Sequence, residues 1–387
     1  MERIKGIDFT RGIVMIVMAL DHARDLMHIN SITQNPTDLL TTTPLLFFTR
    51  FITHFCAPVF VFLAGTSAYI SLINRNNVNQ GRNFMIKRGL WLLLLEFTIV
   101  NFGIYFDFGF HTFLFQVIAT IGSGFIILGL LIRLSAGNMA IIGLTILFFH
   151  NLFPVIPFGT GSLLKIILTP LFGITIYPVT AHTNFIMAYP PVPWLGIMLL
   201  GFAAGKIFEL AAEKRKKIFL KIGLAALLFF VIIRFVNIYG DPSGWSLQKD
   251  GIYTIMSFIN VTKYPPSLLF CSLTLGIMFL VFAITEKTKS RFMNEVSVFG
   301  KVPMFYFLIH FFLIHIVMIT LMFIQGFDWQ ALDFASGSFG RPKGVQSGVG
   351  LLEIYLIWIG VVAILYKPCL WYGRYKAEHK GWWLRYI

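Results

Sequence analysis

The stretch Gly12–His28, GIVMIVMALDHARDLMH, constrains this chain more than any other. It begins as a membrane-crossing helix, with nine uninterruptedly apolar residues from Gly12 to Leu20. A crossing needs about 20 such residues. The helix completes one only if Asp21, His22, Arg24, Asp25 and His28 lie at membrane depth. Charged groups there cost about 3 kcal/mol each or more, so they face protein or a water-filled cavity and pair with one another. Asp21, Arg24, Asp25 and His28 recur at i, i+3, i+4 and i+7 and share one helical face. His22 lies about 100° round from Asp21, one turn from Asp25. The cluster could be a salt-bridged plug. Intramembrane ionisable groups mark functional sites by default, and the cluster is taken as a site.

The rest of the chain supports the membrane reading. Of its 387 residues, 57% are hydrophobic and 12% charged, with a mean hydropathy of +0.78. That composition specifies an all-α integral membrane protein, residues 1–387 forming one unit. The net charge of +14 would suggest nucleic acid for a soluble protein. Here it reads as basic loops facing the cytoplasm, with no nucleic-acid partner. Cys56, Cys271 and Cys369 are far apart and indicate neither a disulfide framework nor a thiolate metal site. The N-terminus carries acids and lacks a small-residue cleavage site, which excludes a cleavable signal.

Ten hydrophobic segments can be placed, at about 10–29, 45–73, 88–106, 112–133, 138–154, 190–210, 218–239, 264–285, 302–324 and 350–373. All are expected to be helices, because open strands cannot span lipid. With the N-terminus inside, 22 Lys and Arg residues fall on the cytoplasmic side, including the run Lys214–Lys217, and five outside: Lys165, Lys249, Lys263, Arg341 and Lys343. This bias places both termini in the cytoplasm. The polar residues of the spans then gather in the outer half: Asp21 to His28, Arg50 and His54, Glu96 and Asn101, Gln116, His150 and Glu353.

Two helices running inward begin alike, after Tyr189-Pro190-Pro191 and Lys263-Tyr264-Pro265-Pro266. Proline suits a first helical turn, and each turn presents a positive dipole end. The segment 155–185, with Gly159, Gly161, Pro170 and Gly173, reads as an outer re-entrant or interfacial element. Gly159–Ser162 lacks the rest of a phosphate loop. His310 and His315 are about 140° apart on a helix. They are assigned as one pocket histidine and one core histidine, with no metal bound.

The opening RIKGIDFTRGIVMIVMALDHARD resembles the catalytic-domain start of the heparan-α-glucosaminide N-acetyltransferase family, in particular its bacterial members. So do PTDLLTTTPLLFFTRFITHFCAPVFVFLAGTSA, KRGLWLLLLEFTIV, YPPVPWLGIMLLGFAAGKIF, KYPPSLLF, GKVPMFYFLIHFFLIH and the terminal WWLRYI. The resemblance implies an acyltransferase with acetyl-CoA as cytosolic donor and a glycan or amino sugar on the other side as acceptor. It also implies about ten transmembrane helices in a bacterial cytoplasmic membrane. No catalytic histidine carries over by position.

On the residues themselves, His22 is the preferred general base, oriented by Asp21 or Asp25, with His28 and His54 as alternatives. Arg24 or Arg50 would steady those carboxylates or a developing oxyanion. Glu96, Asn101, Gln116, Tyr189, Trp194, Lys263, Tyr264 and His310 are assigned to substrate, and Arg11, Lys87 and Arg88 to the donor's phosphates. The competing reading is a proton-coupled secondary transporter of a sugar or organic anion; internal repeats, usual in such proteins, are not found. A homodimer is compatible with the sequence.

Overall fold

The computed structural model describes residues 4–75, 77–159, 161–379, 381 and 384. Thr160 of the Gly159–Ser162 stretch, and most of the terminal WWLRYI motif, lie outside these residues. The chain begins with α1 (Lys5–Met27), α2 (Pro44–Thr53), α3 (Cys56–Arg75), α4 (Val78–Leu95) and α5 (Asn101–Tyr105). It continues with β1 (Thr112–Phe115), α6 (Val117–Leu131), α7 (Ala136–Phe149), α8 (Leu163–Phe172), β2 (Thr175–Pro178) and β3 (Asn184–Met187). Next come α9 (Pro191–Ala204), α10 (Ala212–Val236), α11 (Gly251–Ile259) and α12 (Leu268–Thr285). The last three are α13 (Arg291–Lys301), α14 (Pro303–Ile324) and α15 (Leu351–Glu378).

Eight helical stretches are long and apolar enough to cross a membrane: Pro44–Arg75, Val78–Tyr105, Ala136–Val155, Pro191–Glu209, Ala212–Val236, Leu268–Thr285, Pro303–Ile324 and Leu351–Glu378. The protein is therefore a multi-pass, mainly helical membrane protein. The two other expected segments are also helical. α1 has the length but carries the charged cluster, and α6 has only 15 residues.

Where helices cross closely, glycine makes the contact. A β-carbon at Gly12 would sit 2.1 Å from the Val296 carbonyl oxygen, and one at Gly300 would sit 1.8 Å from that of Asp8, so α1 and α13 touch backbone to backbone. Small residues permit this approach where lipid offers no hydrophobic drive to association. α15 is tied to α1 by the Trp358 indole, which donates to the Ile16 carbonyl at 2.7 Å.

Three departures from the sequence reading bear on the site. First, α1 ends at Met27 and His28 is extended (φ −68°, ψ 136°), so it leaves the face it would share with Asp21 and Arg24. The Ile29 amide donates to Val349 O, and the Val349 amide to Met27 O, both at 2.9 Å. Arg341 adds a bond to His28 O at 2.8 Å. These distant partners satisfy carbonyls that a helix end leaves open. Second, segment 112–133 opens as a strand. β1 pairs in parallel with β3, and β2 pairs antiparallel with β3, giving the sheet order β1-β3-β2. The region 155–185 thus holds α8 and two strands of this sheet. Third, α4 passes into a π-helical turn at Glu96–Val100.

Candidate functional site

α1 runs past two cavities. Its residues Met18, Asp21, His22, Asp25 and Leu26 line a central cavity of about 180 Å³. Arg11 and Met15, one to two turns earlier on the same helix, line a second of about 260 Å³. Phe60, Val117 and Phe307 belong to the walls of both, so the cavities abut across these three side chains.

In the central cavity the carboxylates are matched by guanidinium groups. Asp21 accepts from Arg50 Nη1 at 2.7 and 2.6 Å and from the Thr53 hydroxyl at 2.8 Å. Arg24 Nη2 bridges Asp21 at 2.7 Å and Asp25 at 2.6 Å. α1 supplies three of these groups at helical spacing, and α2 supplies Arg50 and Thr53, also one turn apart. Two carboxylates and two guanidiniums cancel, which offsets much of the cost of burying Asp21 and Arg24.

The carboxylates are occupied in this way, and His22 is held by another group. Its Nδ1 lies 2.7 Å from His310 Nε2 on α14, and its ring stacks on Phe311 with centroids 4.3 Å apart. His310 Nδ1 is 3.1 Å from the Tyr306 carbonyl oxygen, which can only accept. With both rings neutral, the network assigns the proton of His310 to Nδ1. His310 Nε2 then accepts from His22 Nδ1–H. The lone pair of His22 therefore resides on Nε2, on a side chain that lines the cavity. The sequence reading had an aspartate orienting His22; in the structure the hydrogen-bond partner is a second histidine, because both aspartates face arginines.

The other candidate residues are distributed as follows. Gln116, Tyr189, Lys263 and Tyr264 line the central cavity with Arg50, and the Tyr189 and Tyr264 hydroxyls are 3.2 Å apart. Trp194 is buried behind Tyr189, with ring centroids 4.9 Å apart. Arg24 and His310 stand behind the wall, holding residues that line it. His54, at the break between α2 and α3, lines a third cavity that shares Arg50, Lys263 and Tyr264 with the central one. His28 lines none of the three.

Glu96 and Asn101 serve the scaffold. Glu96 is fully buried and accepts the Ala119 amide at 2.6 Å, capping the start of α6. A carboxylate there meets both the open amides and the positive end of the helix. Asn101 bonds the β1 backbone through Thr112 O at 2.8 Å and Leu114 N at 3.0 Å. His315 stacks on Phe106, with centroids 4.2 Å apart, away from the cavities.

Of the residues assigned to the donor, Arg11 and Arg88 line the second cavity, and Lys87 is exposed and is not among its lining residues. Lys301 and Lys376 also line it and were not singled out from the sequence. Their only signal was membership of the general basic excess. Arg11 is positioned by Ser67, whose hydroxyl it meets at 3.0 Å. Arg88 lies over the Phe125 ring at 5.3 Å. Among the described residues no cluster of histidine, cysteine and carboxylate side chains could hold a metal ion.

The fold and these cavities define a class: a multi-pass membrane protein with an ion-paired cluster and a histidine pair enclosed by its helices. The family pattern for the catalytic region of heparan-α-glucosaminide N-acetyltransferase matches residues 3–236, and the chain belongs to that family. It is accordingly an acetyltransferase-type membrane enzyme. No curated protein matches the chain. The matched region holds Asp21, His22 and Arg50; Lys263, Tyr264 and His310 come from beyond it.

Proposed function

We propose that this protein transfers an acetyl group from cytosolic acetyl-CoA to a sugar or amino sugar on the opposite side of the membrane. Its ten helical segments would cross the membrane with both termini inside. The observation that carries this reading is the abutment of a cation-lined cavity and an acid–base cavity across Phe60, Val117 and Phe307.

Arg11, Arg88, Lys301 and Lys376 suit the phosphates of CoA, which cannot enter hydrocarbon cheaply. The pantetheine arm then passes Phe60 and Phe307, bringing the thioester toward His22. The acceptor nitrogen or oxygen attacks the thioester carbonyl carbon, and His22 Nε2 takes its proton. The carbonyl electron pair moves to oxygen and returns as the C–S bond breaks. The CoA thiolate leaves and takes the proton from the imidazolium. Through this cycle Nδ1–H of His22 stays bonded to His310, which holds the ring in one orientation. The neighbouring Asp21 and Asp25 favour the transient positive charge on His22.

Sealed vesicles of known orientation test the reading. Labelled acetyl-CoA is placed on one side and amino sugars on the other. Acetylated sugar is expected only with CoA on the cytoplasmic side and acceptor opposite. Uptake of unmodified sugar without CoA would establish transport in its place. Product formed with both substrates on the cytoplasmic side would keep the enzyme and reject the transmembrane route.

A further inference from the structure

The third cavity, about 350 Å³, adjoins the central one through Arg50, Lys263 and Tyr264. Val261 is its only aliphatic lining residue, and no carboxylate lines it, among the described residues. Its wall is held from behind. Arg234, 1% exposed, donates to the carbonyls of Ser243 (2.7 Å), Phe258 (2.8 Å), Ser257 and Asn260 (3.0 Å each). Asp241 accepts from the Thr262 amide at 2.8 Å and its hydroxyl at 3.0 Å. Asn260 Nδ2 reaches across to Thr37 O at 3.0 Å. Three separate chain segments are thereby fixed around a polar space, which is how a preorganised binding site is built.

Charge accounting in the shared wall identifies what the space lacks. Asp21 and Asp25 are balanced by Arg24 and Arg50. Lys263 is 7% exposed, stands 5.0 Å from the Tyr264 ring centroid, and pairs with no carboxylate among the described residues. One positive charge is left over, facing two cavities. A buried ammonium without a counter-ion is costly, and an anionic ligand removes that cost.

We propose that the third cavity binds the sugar portion of the acceptor, and that it selects a sugar bearing an oxyanion (carboxylate, phosphate or sulfate ester) through Lys263. The hydroxyl and amide side chains of the wall, Thr37, Ser243, Asn260 and Thr262, match sugar hydroxyls. What the bound sugar then undergoes rests on the acyltransferase reading; the binding itself does not.

The test is calorimetric binding to the purified full-length chain in neutral detergent, with glucosamine 6-phosphate, glucosamine and inorganic phosphate as probes. The sugar phosphate should bind about tenfold more tightly than glucosamine, the worth of one charge-assisted bond. Lys263→Met should bring the two within about twofold, and Lys263→Arg should keep the preference. If Lys263→Met does not fold, as judged by lost acetyl-CoA binding, Lys263→Gln carries the same expectation. A wild-type chain without the preference, or an uncharged variant that keeps it, overturns the proposal. Inorganic phosphate binding as tightly as the sugar phosphate rejects a sugar site. A wild-type chain that binds the sugar phosphate selectively yet transfers acetyl to no acceptor rejects the acyltransferase reading and leaves the binding site standing.

Discussion

The two cavities along α1 treat charge in opposite ways. Arg11, Arg88, Lys301 and Lys376 line one of them, and no carboxylate lines it among the described residues. In the one lined by His22, two carboxylates meet two guanidiniums within 2.7 Å. The first arrangement is suited to an anion brought from outside. The second closes on itself, with His22 held beside it by His310. The same helix serves both because its first turns carry Lys5, Asp8 and Arg11 and its last turns carry Asp21, Arg24 and Asp25 at helical spacing.

Removing the imidazole should break the contrast most severely. His22→Ala is expected to lower kcat about 10²- to 10⁴-fold, the usual worth of a general base, with acetyl-CoA binding unchanged. Retained activity in His22→Ala, with loss in His54→Ala, would move the role to His54.

Opening the closed network comes next. Arg50→Met leaves Asp21 with a single guanidinium partner in a buried site, a change expected to cost about 3–5 kcal/mol. Thermal unfolding in detergent should show it, and Asp21→Asn combined with Arg50→Met should recover part of the loss. A double variant no more stable than Arg50→Met alone would show that the pair does not act as a unit.

The histidine pair gives a smaller effect. His310→Phe removes the acceptor for His22 Nδ1–H and should lower kcat up to about tenfold, about one hydrogen bond's worth. His310→Gln, whose side-chain oxygen can accept the same proton, should restore part of it. Equal losses in both variants would reduce His310 to packing.

The cation-lined cavity should respond most gently and in a different parameter. Arg88→Met is expected to raise KM for acetyl-CoA about three- to tenfold with little change in kcat, since one of four cations is removed. Added salt should mimic this variant and leave the His22 effect untouched.

Much of this was legible along the chain. Hydropathy marked the helical segments, and the i, i+3, i+4 spacing of Asp21, Arg24 and Asp25 placed them within reach of one another. Arg11 and Arg88 stood out as cations at one end of the apolar runs. The family resemblance was carried by contiguous motifs such as RIKGIDFTRGIVMIVMALDHARD.

Other features depended on contacts between distant segments. Glu96 lies in a span like any candidate ligand, yet its carboxylate caps α6, 23 residues away. His28 keeps helical spacing in sequence but is drawn out of the helix by Val349 and Arg341. Sequence by itself determined most of the helical segments and the shared face of Asp21, Arg24 and Asp25, because apolar periodicity and hydrogen bonding within a helix are local. Tertiary structure alone decided that His22 meets His310 across 288 residues, and that Lys263 meets no carboxylate among the described residues while its neighbours cancel. Those outcomes depend on how each helix is rotated and how deep it sits, which is set by packing against its neighbours.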